Sequence, residues 1–213
     1  MTETVSNPFA AVKTQLKELA KKPFKATYRV PALWVEAGKQ PQDGNPPLTV
    51  HPGEFYLNHI EAIEKHSIKD IDPLRSLNQQ LPGGEGGNWV NREAIYNIFV
   101  RLTAAYDHNG DGTLGGSKVD LTVNADGIRE SGTFLKAIAM LGYIKALGCT
   151  TIHLLPVTAI GHDGNKGELG SPYAIRNPYK LEETQADPLL SLGVEDQFRA
   201  FIQACHLLGI RVI

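Results

Sequence analysis

Two stretches with helical spacing each pass through a glycine into a short apolar segment, and that repeated junction limits what the chain can become. In SGTFLKAIAMLGYIKALG (131–148), Phe134, Ile138, Leu141 and Ile144 recur at helical intervals, and Gly148 suits the stop position. The segment that follows, TTIHLLPV (150–157), is a continuous apolar run, as a strand buried on both faces requires. In VEDQFRAFIQACHLLG (194–209), Phe198, Phe201, Ile202, Cys205 and Leu208 form one apolar face. Acids occupy the first turn and Gly209 closes the last, ahead of IRVI (210–213). Upstream, AIYNIFVRL (94–102) is β-branched and aromatic and predicts a strand.

The order is therefore strand, loop, helix, strand, long loop, helix, strand. This α/β alternation implies a parallel sheet, and its long connections, 103–131 and 157–193, leave the strand ends where such folds carry their chemistry. An apolar strand at the last residue predicts that the chain is a piece of a longer protein. Before residue 90 the grammar differs. A short helix is expected over 10–22 and a β-rich stretch at TYRVPALWV (27–35), with a second helix over 56–66. The glycines of LPGGEGG (81–87) mark a linker. The expected division is a small N-terminal extension, 1–90, ahead of 91–213.

Composition removes several function classes. With 21 basic and 23 acidic residues, the formal charge of -2 supplies no field for nucleic acid or an anionic membrane. Cys149 and Cys205 are too few for a disulfide framework, and both read as buried thiols. The N-terminus shows no secretion signal and no apolar run reaches about 18 residues, so a cytoplasmic, non-membrane protein is expected.

Taken in order, GTFLKAIAMLGYIKALGCTTIHLLPV, GSPYAIRNPYKLEE and VEDQFRAFIQACHLLGIRVI resemble the opening third of the catalytic barrel of the α-amylase family. The nearer likeness within it is to bacterial maltosyltransferases, through RLTAAYDHNG, SPYAIRNPYKLEE and the ADPLL turn. The resemblance covers residues 94–213 well and 27–35 weakly. It implies the first three strands of a (β/α)8 barrel, a TIM-barrel fold of about 250 residues when whole. It also implies action on α-glucans or maltooligosaccharides, by hydrolysis or transfer of α-1,4-linked glucosyl or maltosyl units through a retaining pair of carboxylates. Those carboxylates would stand on strands four, five and seven, so no residue here is assigned a catalytic role and the 213 residues alone are expected to be inactive. The alternative is a non-catalytic glucan-binding or scaffold protein of the same fold. The sequence sets no oligomeric state.

Several residues then acquire candidate roles. Tyr173 matches the family tyrosine that stacks on sugar beside the cleaved bond, where a ring face buries the C–H side of a pyranose. Asn177 falls near a position where many relatives carry aspartate. Arg101 and Tyr106, at the end of the first strand, face the opening of a barrel; Arg101 could meet a sugar hydroxyl or form an internal ion pair. His153 reads as a hydrogen-bonded core histidine and His206 as a residue of the helix–barrel boundary. Tyr179 reads as packing near the rim. His162, Asp163, Asn165 and Glu168 crowd a solvated loop that could double as a lid. Asp107, Asn109, Asp111 and the carbonyl of Thr113 fit positions 1, 3, 5 and 7 of a calcium loop, with Gly112 at the sharp turn. Gly115 and Lys118 replace the usual acids at positions 9 and 12, which argues against an EF-hand. Relatives carry such a loop after the first strand, so one structural Ca2+ is the only cofactor expected.

Overall fold

The computed structural model describes residues 7–37, 39–40, 46–66, 93–114, 121–161, 163–164, 167 and 169–213. The expected LPGGEGG linker, the boundary near residue 90, Gly115, Lys118, His162, Asn165 and Glu168 lie outside the described residues.

The two glycine junctions shape the fold. Helix α4 (Phe134–Ala146) begins at Thr133, whose hydroxyl accepts the Lys136 amide, and helix α5 (Val194–Leu207) begins at Gly193. Both end alike. The Gly148 amide donates to the Lys145 carbonyl at 2.9 Å and the Cys149 amide to Ile144 at 3.3 Å. The Gly209 amide donates to His206 at 3.0 Å and the Ile210 amide to Cys205 at 2.9 Å. This is the Schellman arrangement twice over, and it needs a left-handed residue at each helix end. Gly148 (φ 80°) and Gly209 (φ 70°) supply it without the clash a Cβ would bring.

Each junction feeds a parallel strand. Strand β4 (Thr151–Leu154) lies between β3 (Ile95–Ile98) and β7 (Arg211–Val212), with Ile95 opposite Thr151 and Thr151 opposite Arg211. On one face Ile98 and Ile152 are fully buried in the core that holds α4 and α5, and Tyr96 meets Tyr143 edge-on, ring centroids 6.3 Å apart. The other set is covered unevenly: Thr151 is fully buried, but Ile95 is 52 % exposed, Asn97 is exposed and His153 is half-buried. No hydrogen bond reaches the His153 ring from the described residues, so the expected hydrogen-bonded core histidine is replaced by one on the less covered face.

Helices α1 (Pro8–Ala20) and α2 (Pro52–Lys65) both start on proline, which loses nothing at a position whose amide has no helical partner. They cross so closely that a Cβ on Gly53 would fall 2.6 Å from the Ala20 nitrogen. Phe9, Val12 and Leu16 of α1 and Tyr56, Ile60 and Ile63 of α2 belong to the same buried cluster as the apolar residues of α4 and α5. That explains why α4 is buried nearly all round: α5 and α2 pack against it, and Tyr96 of the sheet meets its Tyr143.

Three expectations need correcting. The first strand stops at Ile98, and residues Val100–Thr103 form one helical turn, α3. The Phe99 amide donates to the Thr103 hydroxyl at 3.1 Å, which closes that turn locally. The stretch 27–35 contributes only the short strand β1 (Arg29–Val30), paired with β2 (Leu48–Thr49). The connection 157–193 contains an antiparallel hairpin, β5 (Thr158–Ile160) with β6 (Ile175–Leu181), followed by a 3-10 turn at Glu183–Gln185.

Candidate functional site

Both long connections start at the C-terminal ends of parallel strands, the first after β3 and the second after β4. The first is anchored by buried polar groups. His108 is fully enclosed; its ring stacks on Tyr28 with centroids 4.1 Å apart and an interplanar angle of 15°. Its Nδ1 lies 2.6 Å from the Arg29 carbonyl, which can only accept, so the proton sits there and Nε2 faces the Tyr28 hydroxyl at 3.4 Å. Tyr28 and Tyr56 share a further hydroxyl contact of 2.8 Å. Burial, with the nearby Lys136 cation adding to it, pushes His108 down to about 2. The amides of His108 and Asn109 donate to Glu130 Oε1 at 3.0 and 3.2 Å.

Lys136 carries a cation into this core. It is fully buried and donates to the Ser131 carbonyl at 2.9 Å and to the Arg129 carbonyl. Burial pulls its pKa down to about 8, against the opposing fields of Asp187 and Glu130. Asp187 in turn accepts from the Thr133 hydroxyl at 2.8 Å, and its amide donates to Gln197 on α5 at 2.8 Å. His108, Glu130, Lys136 and Asp187 were not singled out in the sequence. The available signal was Lys136 itself, a charge set among Phe134, Leu135, Ala137 and Ile138 in the first turns of α4.

Next to this knot, the turn Asp107–Thr113 is closed by its own amides. Asp107 Oδ1 accepts from Gly110 and Asp111, and Oδ2 from Gly112 at 3.0 Å. Asp111 Oδ1 accepts from the Thr113 amide and hydroxyl, both at 2.8 Å, and Oδ2 from Asn109 Nδ2 at 2.9 Å. Asn109 Oδ1 accepts from the Asp111 amide at 3.0 Å. Asp107 Oδ2, Asn109 Oδ1 and Asp111 Oδ2 thus each accept one hydrogen bond from the described residues and retain a lone pair. The donor chemistry fits a hard cation, but with three such oxygens against the six to eight that calcium takes. No three His, Cys, Asp or Glu side chains converge among the described residues.

The second connection presents the residues assigned to substrate. Tyr173 is 66 % exposed, and its amide donates to the Ser171 hydroxyl at 3.2 Å, closing the Ser-Pro turn. Asn177 is half-buried and its Oδ1 accepts the Tyr179 amide at 2.9 Å. Register shifts interrupt the β5–β6 pairing on either side of Asn177, and Tyr179 is 93 % exposed rather than packed. Arg101 behaves differently. It has no exposed surface; its guanidinium lies over the Phe99 ring, 5.0 Å from the centroid, and Nη1 donates to the Leu169 carbonyl. Arg101 and the segment leading to Tyr173 are therefore brought together, with Arg101 beneath the rim. The Asp107–Thr113 turn forms a separate unit. Cys205 is buried and its thiol is pushed up by burial, while Cys149 is half-buried.

No family model matches the chain. It is similar to a 1,4-alpha-glucan branching enzyme of Synechococcus sp. (strain CC9311), at 25% identity over 187 residues, 76% of this chain and 23% of the relative. It is also similar to the alpha-1,4-glucan:maltose-1-phosphate maltosyltransferases of Mycobacterium tuberculosis (strain ATCC 25618 / H37Rv) and Mycolicibacterium smegmatis. The first is 30% identical over 155 residues, 66% of this chain and 19% of the relative. The second is 28% identical over 178 residues, 76% of this chain and 22% of the relative. The chain thus spans less than a quarter of the length of the curated relatives it matches. These are low-identity relationships to enzymes named for α-glucan chemistry. The mixed α/β architecture with a parallel sheet agrees with part of a barrel. No described helix is long and apolar enough to cross a membrane.

The buried histidines make stability depend on pH. Burial pushes His59 down to about 4 and His108 to about 2, from 6.5. Below pH 6.5 the unfolded chain takes up protons that the folded chain refuses, so stability falls, by about 1.4 kcal/mol per pH unit for each group. Denaturant melts between pH 7 and pH 5 should show this loss, and His108→Gln should flatten the slope; an unchanged slope would remove His108 as its source.

Proposed function

We propose that the chain is the opening part of an α-amylase-type (β/α)8 barrel, with 1–90 as an N-terminal extension and 91–213 supplying strands one to three. The protein it builds acts on α-glucans or maltooligosaccharides, hydrolysing or transferring α-1,4-linked glucosyl or maltosyl units with retention. The carrying observation is the exposed Tyr173 with Asn177 on a connection that leaves the C-terminal end of a central parallel strand. A catalytic barrel places its substrate at that end of its strands. Tyr173 offers a ring face to the apolar side of a pyranose, and Asn177 an amide to its hydroxyls. The similar proteins are named for α-1,4-glucan chemistry. The carboxylate pair is assigned to strands outside these residues.

Incubating the full-length protein with maltoheptaose should give new oligosaccharides whose fresh ends are α by NMR. Tyr173→Ala should lower kcat/KM by about ten- to a hundredfold, the scale of one lost stacking contact in a closed site. Binding of maltoheptaose without turnover would instead favour the non-catalytic protein of the same fold.

The Asp107–Thr113 turn has a structural role in this reading. Asp107, Asn109, Asp111 and the Thr113 carbonyl would hold one calcium ion, which would offset the two adjacent carboxylate charges; water would complete its shell. With so few protein oxygens, affinity should lie at the weak end of calcium loops, a Kd of roughly 10⁻⁴–10⁻³ M. Raising free calcium to about 10 mM should then raise Tm by a few degrees in the full-length protein, and Asp111→Ala should abolish the shift. Equal Tm in calcium and in chelator would leave the turn to its own amides.

A further inference from the structure

Arg101 is fully buried, yet only one of its guanidinium nitrogens is used. Nη1 donates to the Leu169 carbonyl, while Nε and Nη2 have no hydrogen-bond partner among the described residues. A buried cation so sparsely bonded is costly to hold, and burial pulls its pKa down against the field of Glu182. What offsets that cost is spatially specific. The Phe99 ring lies against the cation, the Leu169 carbonyl accepts from it, and Glu182 supplies the counter-charge. Leu169 sits in the connection between β5 and β6, four residues before Tyr173. Glu182 sits at the other end of the same hairpin. Its Oε2 accepts the Ile160 amide at 3.1 Å and its Oε1 the Thr184 hydroxyl at 2.9 Å. Burial raises Glu182, but these donors and Arg101 outweigh it, so the carboxyl lies below its ordinary value. Arg101 therefore holds the segment joining the two hairpin strands at Leu169, from α3, while Glu182 ties the foot of β6 to Ile160 of β5.

We infer that Arg101 is a positioning residue that fixes segment 169–177, and with it Tyr173 and Asn177, against the end of the first parallel strand. This rests on Tyr173 being sugar-facing, as proposed above, but the clasp itself does not. Arg101 touches no substrate; its contribution is to keep the exposed Tyr173 ring in one place before sugar arrives. Preorganised rims bind tighter because less ordering remains to be done on binding.

Amide hydrogen exchange of the full-length protein tests this. Arg101→Met keeps the stem and removes the donors. It should speed exchange in 169–177 by about ten- to a hundredfold, the range spanned by one charge-assisted hydrogen bond, while α4 and α5 keep their rates. Maltoheptaose affinity should fall by about tenfold in parallel. Arg101→Lys retains a cation and one donor for Leu169, and should restore much of both. Unchanged exchange at 169–177, or an equal rise across α4 and α5, would reduce Arg101 to core packing and overturn the inference. If Arg101→Met does not fold, Arg101→Lys and Glu182→Gln decide: each should loosen the hairpin more than the helices, and uniform loosening contradicts the clasp. If Tyr173→Ala binds maltoheptaose like the wild type while Arg101→Met still frees 169–177, the sugar-facing reading fails and the clasp stands.

Discussion

Lys136 takes a positive charge into the middle of the core, and three parts of the chain are arranged around it. Its ammonium ties the Arg129 and Ser131 carbonyls at the end of the first long connection. Glu130, in that same stretch, holds the amides of His108 and Asn109 and so carries the Asp107–Thr113 turn. Asp187 binds Thr133 at the start of α4 and, through Gln197, the first turns of α5. A buried charge of this kind is tolerated only where opposite charges and carbonyls surround it, and removing one partner costs more than the pair contributes. The first loop, the entry to α4 and the entry to α5 are thus fixed in one polar knot, and the hydrophobic cluster closes around it.

What was legible in the sequence follows from locality. The two helix–glycine–strand junctions were readable because the 3.6-residue spacing and the glycine at the stop are both local, and Gly148 and Gly209 take the left-handed conformation that this demands. The β5–β6 hairpin was not readable. Ile175–Leu181 reads IRNPYKL, with proline and charge inside it and little burial on either face, so no alternation marks a strand. The end of β3 was misread because RLT has no breaker; the helical turn is closed by Thr103 bonding back to Phe99. The knot around Lys136 depends on Thr133 bonding to Asp187, 54 positions away, which no window of sequence can show.

The candidate site divides along the same line. Tyr173 and Asn177 were named from a motif, and both lie on the rim, exposed and half-buried. Arg101 was named for its place at a strand end, but its side chain is enclosed under the rim. The difference lies in α3. One helical turn after Ile98 redirects Arg101 beneath the second connection, where the Leu169 carbonyl and the Phe99 ring receive it.

The central claim is that a glucan lies across the C-terminal ends of β3 and β4, against the Tyr173 face of the hairpin. Difference density from crystals of the full-length protein soaked with a slowly cleaved maltooligosaccharide tests it most directly. The account predicts a pyranose ring stacked on Tyr173, with a hydroxyl within hydrogen-bond distance of Asn177. Sugar bound at the opposite end of these strands, or ordered sugar elsewhere with Tyr173 covered by other parts of the protein, would contradict it.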